Sequence, residues 1–212
     1  MAYKIKEIFY SLQGEGAQTG RPAVFCRFSG CNLWSGKAED KPRSFCAWCD
    51  TDFVGTDGPR GGIFDKAGEL AACVSALFPA SGPDTQRLVV ATGGEPLLQL
   101  DEPLITAFHT AGLEIAVETN GTLPMPTGID WVCVSPKAGA GLTIRTGDEL
   151  KLLFSQDRVD PEEYLDLHFR YFFLQPIDGP RVTAHTALAI DYCLRHPRWR
   201  LSLQTHKIVG IP

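Results

Sequence analysis

Residues 88–96 read LVVATGGEP, an apolar run that ends in two glycines, a glutamate and a proline. An unbroken apolar run of this length predicts a strand that is covered on both faces, as in a parallel sheet. A helix is predicted to follow over residues 102–110, with Pro103 near its first turn. A buried strand, a polar turn and a helix in this order are the repeating unit of an α/β protein.

The same pattern extends on both sides of this stretch. The predicted strands cover residues 3–10, 23–29, 88 onward, 113–121, 131–137, 149–154, 171–176 and 200–204. The predicted helices cover residues 66–78 with Asp65 as N-cap, 102–110, a short one within 161–169, and 183–195 stopped by Pro197. No repeat or linker divides the chain, so residues 1–212 are expected to form one α/β domain. Its mainly parallel sheet, with helices outside, is either open or curved as a partial barrel.

Composition limits the classes of function. A net charge of −5 over 212 residues argues against an extended nucleic-acid interface, which usually needs a concentrated basic face. No run approaches the roughly 18 apolar residues of a membrane span, and the first ten residues mix charges into their apolar positions, unlike a signal peptide. We therefore expect a cytoplasmic protein that binds neither nucleic acid nor membrane.

Residues 31–51 read CNLWSGKAEDKPRSFCAWCDT and contain Cys31, Cys46 and Cys49. Three thiolates from one loop suit three corners of an iron–sulfur cube and leave one iron open, whereas a closed zinc site needs a fourth ligand. The other four cysteines lie in apolar surroundings and read as core thiols. The spacing by itself leaves three alternatives, namely an iron–sulfur cluster, a zinc site and unrelated thiols.

Polar residues follow several predicted strands, at Gly93–Glu95, Glu118 and Ser135–Lys137. The carboxyl ends of parallel strands meet at one edge, where such folds bind ligands. Taken singly, each has a simpler explanation: a tight glycine turn, an exposed carboxylate before an Asn-Gly turn, and a solvated lysine. Glycines also allow a backbone to approach a ligand closely, and the Glu95 carboxylate suits an ammonium group.

Arg27 stands inside the apolar strand VFCRFSG. A charge at such a position is costly to bury without a partner, so its guanidinium should meet either an anionic ligand or an acidic side chain of the core.

In this order, the motifs resemble the radical S-adenosylmethionine superfamily and, within it, the 7-carboxy-7-deazaguanine synthase family. The resemblance runs from about residue 5 to the C terminus. It rests on QGEG at 13–16, CDT at 49–51, TGGEP at 92–96, ETNG at 118–121, SPK at 135–137 and QTHK at 204–207. One departure is the spacing of the first two cysteines, which are separated by fourteen residues where most of the superfamily has three.

The resemblance implies a partial, modified TIM-type barrel with one [4Fe-4S] cluster, S-adenosyl-L-methionine and Mg2+. It assigns Cys31, Cys46 and Cys49 to the cluster and Thr51 to Mg2+. It assigns to the cofactor Trp48, Asp50, Gly93, Gly94, Glu95, Glu118, Ser135 and Lys137. It assigns to the substrate Leu12, Gln13, Gly14, Glu15, Gly16, Arg27, Thr92, Gln175, His206 and Pro212, the last through a C-terminal tail that folds back to the pocket.

The reaction implied is a lyase step of queuosine biosynthesis. A radical derived from S-adenosylmethionine starts the ring contraction of 6-carboxy-5,6,7,8-tetrahydropterin to 7-carboxy-7-deazaguanine, with loss of ammonia. An electron donor such as flavodoxin and a homodimeric state are expected from the same resemblance. Two other hypotheses remain at this point, a radical enzyme that activates glycyl-radical proteins and a zinc-stabilised binding module.

Overall fold

The computed structural model of the chain describes residues 2–80, 86–154 and 159–212. Within these ranges, one sheet has the strand order β3-β1-β2-β4-β5-β6-β7-β8-β9. The strands are β1 (Tyr3–Leu12), β2 (Pro22–Phe28), β3 (Gly62–Phe64), β4 (Arg87–Gly93), β5 (Leu113–Thr119), β6 (Trp131–Val134), β7 (Thr146–Phe154), β8 (His168–Pro176) and β9 (Trp199–Leu201). The helices are α1 (Ala67–Ser75), α2 (Glu102–Thr110), α3 (Val182–Arg195) and α4 (Thr205–Val209).

The sheet is mainly parallel, as predicted. From β2 to β9 each neighbouring pair in the sheet runs parallel. Strand β1 is antiparallel to both β2 and β3. The short connection from β1 to β2 suits an antiparallel pair and not a crossover.

The parallel strands have two unlike faces. On the outer face, Leu70 and Val74 of α1 and Leu104 and Phe108 of α2 pack into one core with residues such as Ile115 of β5. On the inner face, a smaller apolar cluster contains Phe25, Val90 and Ala116. Two positions further along the same strands come Arg27, Thr92 and Glu118, which line a cavity. Side chains alternate along a strand, so the inner face is apolar at its base and polar at its carboxyl end.

The loop after β1 connects the first strands of the sheet to the last. The amide of Gly16 donates to Ser202 Oγ at 2.9 Å, the amide of Ala17 donates to Glu149 Oε2 at 2.8 Å, and the amide of Thr205 donates to the Gly14 carbonyl at 2.9 Å. These bonds bring residues 14–17 against β7 and the segment after β9. The sheet therefore wraps round as a partial barrel of the TIM type.

Some local predictions were wrong. Helix α1 begins at Ala67 with Lys66 as N-cap and no side-chain cap, so Asp65 does not cap it. The helix predicted within 161–169 is only a 3-10 turn at Pro161–Tyr164, because β8 already starts at His168. No helix in the described ranges is long and apolar enough to cross a membrane.

Candidate active site

A cavity of about 360 Å³ opens at the carboxyl ends of the parallel strands. Its wall contains nearly all the residues that the sequence singled out. They are Leu12, Gln13, Gly14, Glu15, Arg27, Cys31, Cys46, Trp48, Cys49, Asp50, Thr51, Thr92, Gly93, Gly94, Glu118, Ser135, Lys137, Gln175, His206 and Pro212. Glu95 and Gly16 do not line the cavity. A concave site of this size is typical of small-molecule binding.

The three cysteines of residues 31–53, hereafter the cysteine loop, are free and line this cavity. The amide of Leu33 donates to Cys31 Sγ at 3.4 Å, and the amide of Cys49 donates to the Cys46 carbonyl at 2.9 Å. Lys41 Nζ donates to the Cys49 carbonyl at 2.8 Å. Contacts within the loop thus connect its long insertion to the Cys46–Cys49 turn.

The chemistry of this donor set fits an iron–sulfur cluster. Three thiols come from one loop and line one cavity. A cube of iron and sulfide holds its thiolates at separate corners, so it needs several cysteines around one space. Burial raises the pKa of Cys31 and raises that of Cys46 to about 11 without a metal. Coordination deprotonates a thiol, so these values do not oppose ligation.

The Gly-Gly-Glu turn packs directly against the strand end that leads to Cys31. The amide of Glu95 donates to the Gly30 carbonyl at 2.9 Å, and a Cβ on Gly94 would lie 2.0 Å from that same oxygen. Gly93 has a φ of +133°, a conformation that other residues rarely adopt. The two glycines therefore bring this turn into contact with the start of the cysteine loop.

Glu95 is fully buried behind the cavity wall. Its carboxylate accepts hydrogen bonds from Thr119 Oγ1 at 2.7 Å, from the Asn120 amide at 2.8 Å and from the Leu97 amide at 3.0 Å. Burial raises its pKa, although these bonds oppose the shift. Glu95 therefore does not face the cavity. Its carboxylate instead bonds to the protein and joins the end of β4 to the end of β5.

Asn120 continues this connection to the cysteine loop. Its Nδ2 donates to Asn32 Oδ1 at 2.9 Å, and Asn32 Nδ2 donates to Thr122 Oγ1 at 2.8 Å. Asn32 directly follows Cys31, so the turn after β5 supports the first cysteine. The ETNG motif contains Asn120, but the sequence did not indicate its pairing with Asn32, because the two residues are 88 positions apart.

Ser135 and Lys137 form the wall beside the Cys46–Cys49 turn. Lys137 Nζ donates to Ser135 Oγ at 2.6 Å and to the Ser135 carbonyl at 2.8 Å, and it lies 5.5 Å from the centre of the Trp48 ring. Burial lowers the pKa of Lys137. These three residues, which the sequence assigned to the cofactor, are therefore neighbours.

A second wall of the cavity holds two carboxylates and a lysine. Glu118 accepts from Gln13 Nε2 and from Thr92 Oγ1, both at 3.0 Å. Lys151 Nζ lies 3.8 Å from Glu118 Oε1 and forms a shorter ion pair with Glu15. Gln13, Thr92 and Glu15 were all predicted on the substrate side, so Glu118 has substrate-side neighbours although the sequence assigned it to the cofactor.

Arg27 has an acidic partner, which is one of the two alternatives that the sequence left open, and it also lines the cavity. Its Nε donates to Glu7 Oε1 at 2.7 Å, and its guanidinium lies 5.9 Å from the centre of the Phe9 ring. Glu7 and Arg27 both line the cavity. Gly16, by contrast, supports the barrel closure, since a Cβ there would lie 2.3 Å from Glu149 Oε2.

Comparison with known proteins identifies the family. No protein-family model matches the chain. Curated 7-carboxy-7-deazaguanine synthases of Burkholderia multivorans and Caulobacter vibrioides are each 58% identical over 212 residues, which cover the whole of this chain and of theirs. The chain belongs to the 7-carboxy-7-deazaguanine synthase family.

More distant comparisons agree with this membership. The synthase of Bacteroides thetaiotaomicron is 44% identical over 211 residues, with full coverage of both chains. The crystal structure of QueE from Escherichia coli matches with a TM-score of 0.71 and 29% identity, covering 96% of this chain and 94% of that one.

In this member of the synthase family, the last residues fold onto the cavity. Helix α4 carries His206, which lines the cavity together with Pro212. Lys207 Nζ contacts Asp50 Oδ2 at 2.5 Å and Asp178 Oδ2 at 2.6 Å, and Ser11 Oγ donates to the main-chain oxygen of Pro212 at 2.9 Å. The tail thereby contacts the cysteine loop, β1 and the turn after β8.

Lys151 and Gln204 also line the cavity, although the sequence had not indicated a role for either of them. Lys151 had a usable signal, since Glu149 and Lys151 stand two positions apart in the otherwise apolar run ELKLLF. Charged residues that alternate with leucines in a strand point to a polar inner face. Gln204 belongs to the QTHK motif, but the motif did not indicate its contact with Glu15, because the two residues are 189 positions apart.

Proposed function

We propose that this chain is a 7-carboxy-7-deazaguanine synthase. It would convert 6-carboxy-5,6,7,8-tetrahydropterin to 7-carboxy-7-deazaguanine with loss of ammonia, a radical carbon–nitrogen lyase step of queuosine biosynthesis. One observation carries the proposal: three free cysteines and the polar residues Gln13, Glu15 and Arg27 open into a single cavity. The 58% identity to a curated synthase over the full length of both chains supports the same reaction.

The proposal includes three cofactors. Cys31, Cys46 and Cys49 would hold a [4Fe-4S] cluster. When bound, the cluster and S-adenosylmethionine supply the radical that begins the ring contraction. Trp48, Ser135 and Lys137, which are neighbours in the structure, would contact S-adenosylmethionine together with Gly93 and Gly94.

Glu95 has a supporting part in this proposal. Its carboxylate already accepts three hydrogen bonds from the protein, so it would fix the turn that contacts the cofactor. Thr51 would contribute an oxygen ligand to Mg2+, beside Asp50 on the same loop. Few protein ligands are normal for Mg2+, which keeps waters or takes substrate oxygens.

The substrate would lie between the two walls. The guanidine-like edge of the pterin would meet the carboxylate and amide groups around Glu15, Gln13 and Gln175, because carboxylates accept from paired N–H groups. The carboxylate of the substrate would meet Arg27 or Mg2+. Leu12, Gly14, Thr92, His206 and Pro212 would complete the pocket, and Gly16 would hold its rim in place.

We also propose the expected assembly and setting. The chain would act as a cytoplasmic homodimer, with a small electron-transfer protein such as flavodoxin as its reductant. These points rest on the family and not on the cavity.

The test is turnover under anaerobic conditions. The purified chain is reconstituted with iron and sulfide, its iron, sulfide and zinc are measured, and it is mixed with S-adenosylmethionine, Mg2+, a reductant and 6-carboxytetrahydropterin. Formation of 7-carboxy-7-deazaguanine and ammonia supports the proposal. Cleavage of S-adenosylmethionine without that product would favour another radical enzyme, such as an activase of glycyl-radical proteins. Bound zinc with no cluster would favour a binding module.

A further inference from the structure

Lys151 is a buried cation in the wall of the cavity. It lies on β7, and only 6% of its side chain is exposed. A buried ammonium is costly unless it is paired, and Lys151 has two carboxylates within reach. It forms an ion pair with Glu15 Oε2, and its Nζ lies 3.8 Å from Glu118 Oε1. One nitrogen therefore stands between two acidic residues that come from β5 and from the loop after β1.

Resting on the proposed function, we propose that Lys151 is a positioning residue that holds Glu15 and Glu118 as a pair of hydrogen-bond acceptors, so that the cavity selects a substrate edge made of N–H donors. The ligand class is a heterocycle with an amidine or guanidine edge, as in a pterin.

The neighbours of the two carboxylates are also hydrogen-bond donors. Gln204 Nε2 donates to Glu15 Oε1, and Gln13 Nε2 and Thr92 Oγ1 donate to Glu118, each at 3.0 Å. Two carboxylates near one another tend to share a proton when no cation separates them. If the two carboxylates shared a proton, one of them would become a hydrogen-bond donor. That donor would then face the N–H donors of the ligand, with which it cannot form a hydrogen bond. Lys151 removes that possibility.

The charges around Glu15 and Lys151 determine how ligand binding should depend on pH. Burial by itself would raise the pKa of Glu15, but the Lys151 ammonium and hydrogen bonds from Lys151, Gln175 and Gln204 lower it to about 2. Burial likewise opposes the charge of Lys151, yet Glu15 and Glu118 raise its pKa well above the usual value.

The other titratable groups that face Lys151 are Glu149 on the same strand and Cys133 on β6, with Lys137 further along the wall. Without Lys151, the Glu149 carboxylate would have no lysine beside it to offset a negative charge on Glu15. If the Lys151 charge is lost, burial becomes the larger influence and raises the pKa of Glu15. Glu15 would then be protonated at a higher pH than in the wild type, and ligand binding would recover as the pH rises.

The test compares cluster-loaded wild type with Lys151→Met and Lys151→Arg. For each protein, kcat, KM and the dissociation constant of 6-carboxytetrahydropterin are measured at several pH values, the last by equilibrium dialysis. In Lys151→Met we expect KM and the dissociation constant to rise at least about tenfold at neutral pH, with the acidic limb of kcat/KM moved up by about one pH unit or more. A smaller change in kcat and partial rescue by Lys151→Arg complete the expectation.

A second variant keeps the inference testable if Lys151→Met folds poorly. Lys151→Met/Glu15→Gln removes the buried charge pair, so it should regain a melting temperature near that of wild type. It should still bind the pterin weakly, and the pH dependence due to Glu15 should be gone. Binding by this double variant as tight as that of wild type would overturn the inference.

One further outcome would overturn the inference, and another would reject the proposed function. A Lys151→Met protein that is less stable but keeps the wild-type KM and pH profile would reduce Lys151 to a structural role and overturn the inference. Failure of the wild type to convert the pterin would reject the proposed function itself. Wild-type turnover therefore distinguishes the two failures.

Discussion

The two walls of the cavity are built in different ways. The cysteine loop is irregular, with a 3-10 turn at Lys41–Arg43, and many of its side chains are exposed. The opposite wall, hereafter the carboxylate wall, consists of Glu15, Glu118, Lys151 and Gln175; all but Glu15 stand on paired strands. Both Lys151 and Gln175 are buried.

The difference shows where the fold tolerates change. An irregular loop can lengthen by several residues and still present its cysteines, because no strand register depends on its length. A strand cannot change in this way, since a shift by one residue would move every side chain to the other face. The long spacing between Cys31 and Cys46 therefore lies in the wall that can accept it.

The strongest test of this contrast removes a cysteine. Cys49→Ala should lose bound iron and reduce turnover to background, because no other thiol of the loop replaces the ligand. Its melting temperature should stay close to that of the cluster-free wild type, since none of the three apolar core clusters that the described residues form contains a residue of the loop. Iron assay, product assay and thermal unfolding measure the three quantities.

The matched control for Cys49→Ala is Cys73→Ala on α1, which packs against the outer core and not at the cavity. It should keep the cluster and turnover. Iron retained at wild-type content in Cys49→Ala would remove that residue from the ligand set.

The second test shortens a core side chain under the carboxylate wall. Leu150 stands between Glu149 and Lys151 in the sequence of β7. Its side chain points to the outer face of the sheet and is fully buried there. Leu150→Ala should lower the free energy of unfolding by roughly 2–5 kcal/mol, because it removes buried surface and leaves a cavity. Chemical denaturation measures the loss.

Phe45→Ala gives the comparison in the cysteine loop, because Phe45 is 48% exposed. It should change the free energy of unfolding by no more than about 0.5 kcal/mol. Equal losses for Leu150→Ala and Phe45→Ala would mean that the two walls do not differ in stability.

The third test concerns the connection between the walls. Glu95→Gln puts an amide where two oxygens accept three donors, so at least one hydrogen bond is lost. We expect a loss of about 1–3 kcal/mol in the free energy of unfolding. The affinity for S-adenosylmethionine, measured by calorimetry, should fall as the turn shifts. The exposed Glu69→Gln on α1 is the control, and an equally small effect of both changes would show that Glu95 holds nothing in place.

The smallest effect is expected at Lys207, which joins α4 to both the cysteine loop and the turn after β8. Its partly exposed ion pairs should contribute at most about 1 kcal/mol, so Lys207→Met should leave the melting temperature nearly unchanged. The KM for the pterin should rise a few-fold, because α4 carries His206 to the cavity. Lys66→Met, which removes an exposed pair with Glu69, should leave KM as it was.

The sequence predicted most of the parallel strands and helix α2, because apolar runs and a proline in the first turn are local signals. It missed β3, which has only three residues, and α4, which has five. Segments this short carry no periodicity. The barrel closure was also beyond a local pattern, since it depends on residues 14–17 meeting β7 and the segment after β9.

The candidate site divides in a similar way. Ordered motifs predicted the cysteines, the glycine turn and most of the cavity wall. They did not reveal that Glu95 is covered by its own protein partners, because a motif gives the residue and not the direction of its side chain. They also missed the pairing of Lys151 with Glu15, whose positions are 136 residues apart and meet only when the sheet curves.

A crystal structure grown without oxygen, with S-adenosylmethionine, Mg2+ and 6-carboxytetrahydropterin, tests the account most directly. It should place a four-iron cluster on Cys31, Cys46 and Cys49 and the N–H edge of the pterin on the carboxylates of Glu15 and Glu118, with Arg27 or Mg2+ at the carboxylate of the pterin. A single zinc ion on the cysteines, or a pterin bound away from the carboxylate wall, would contradict it.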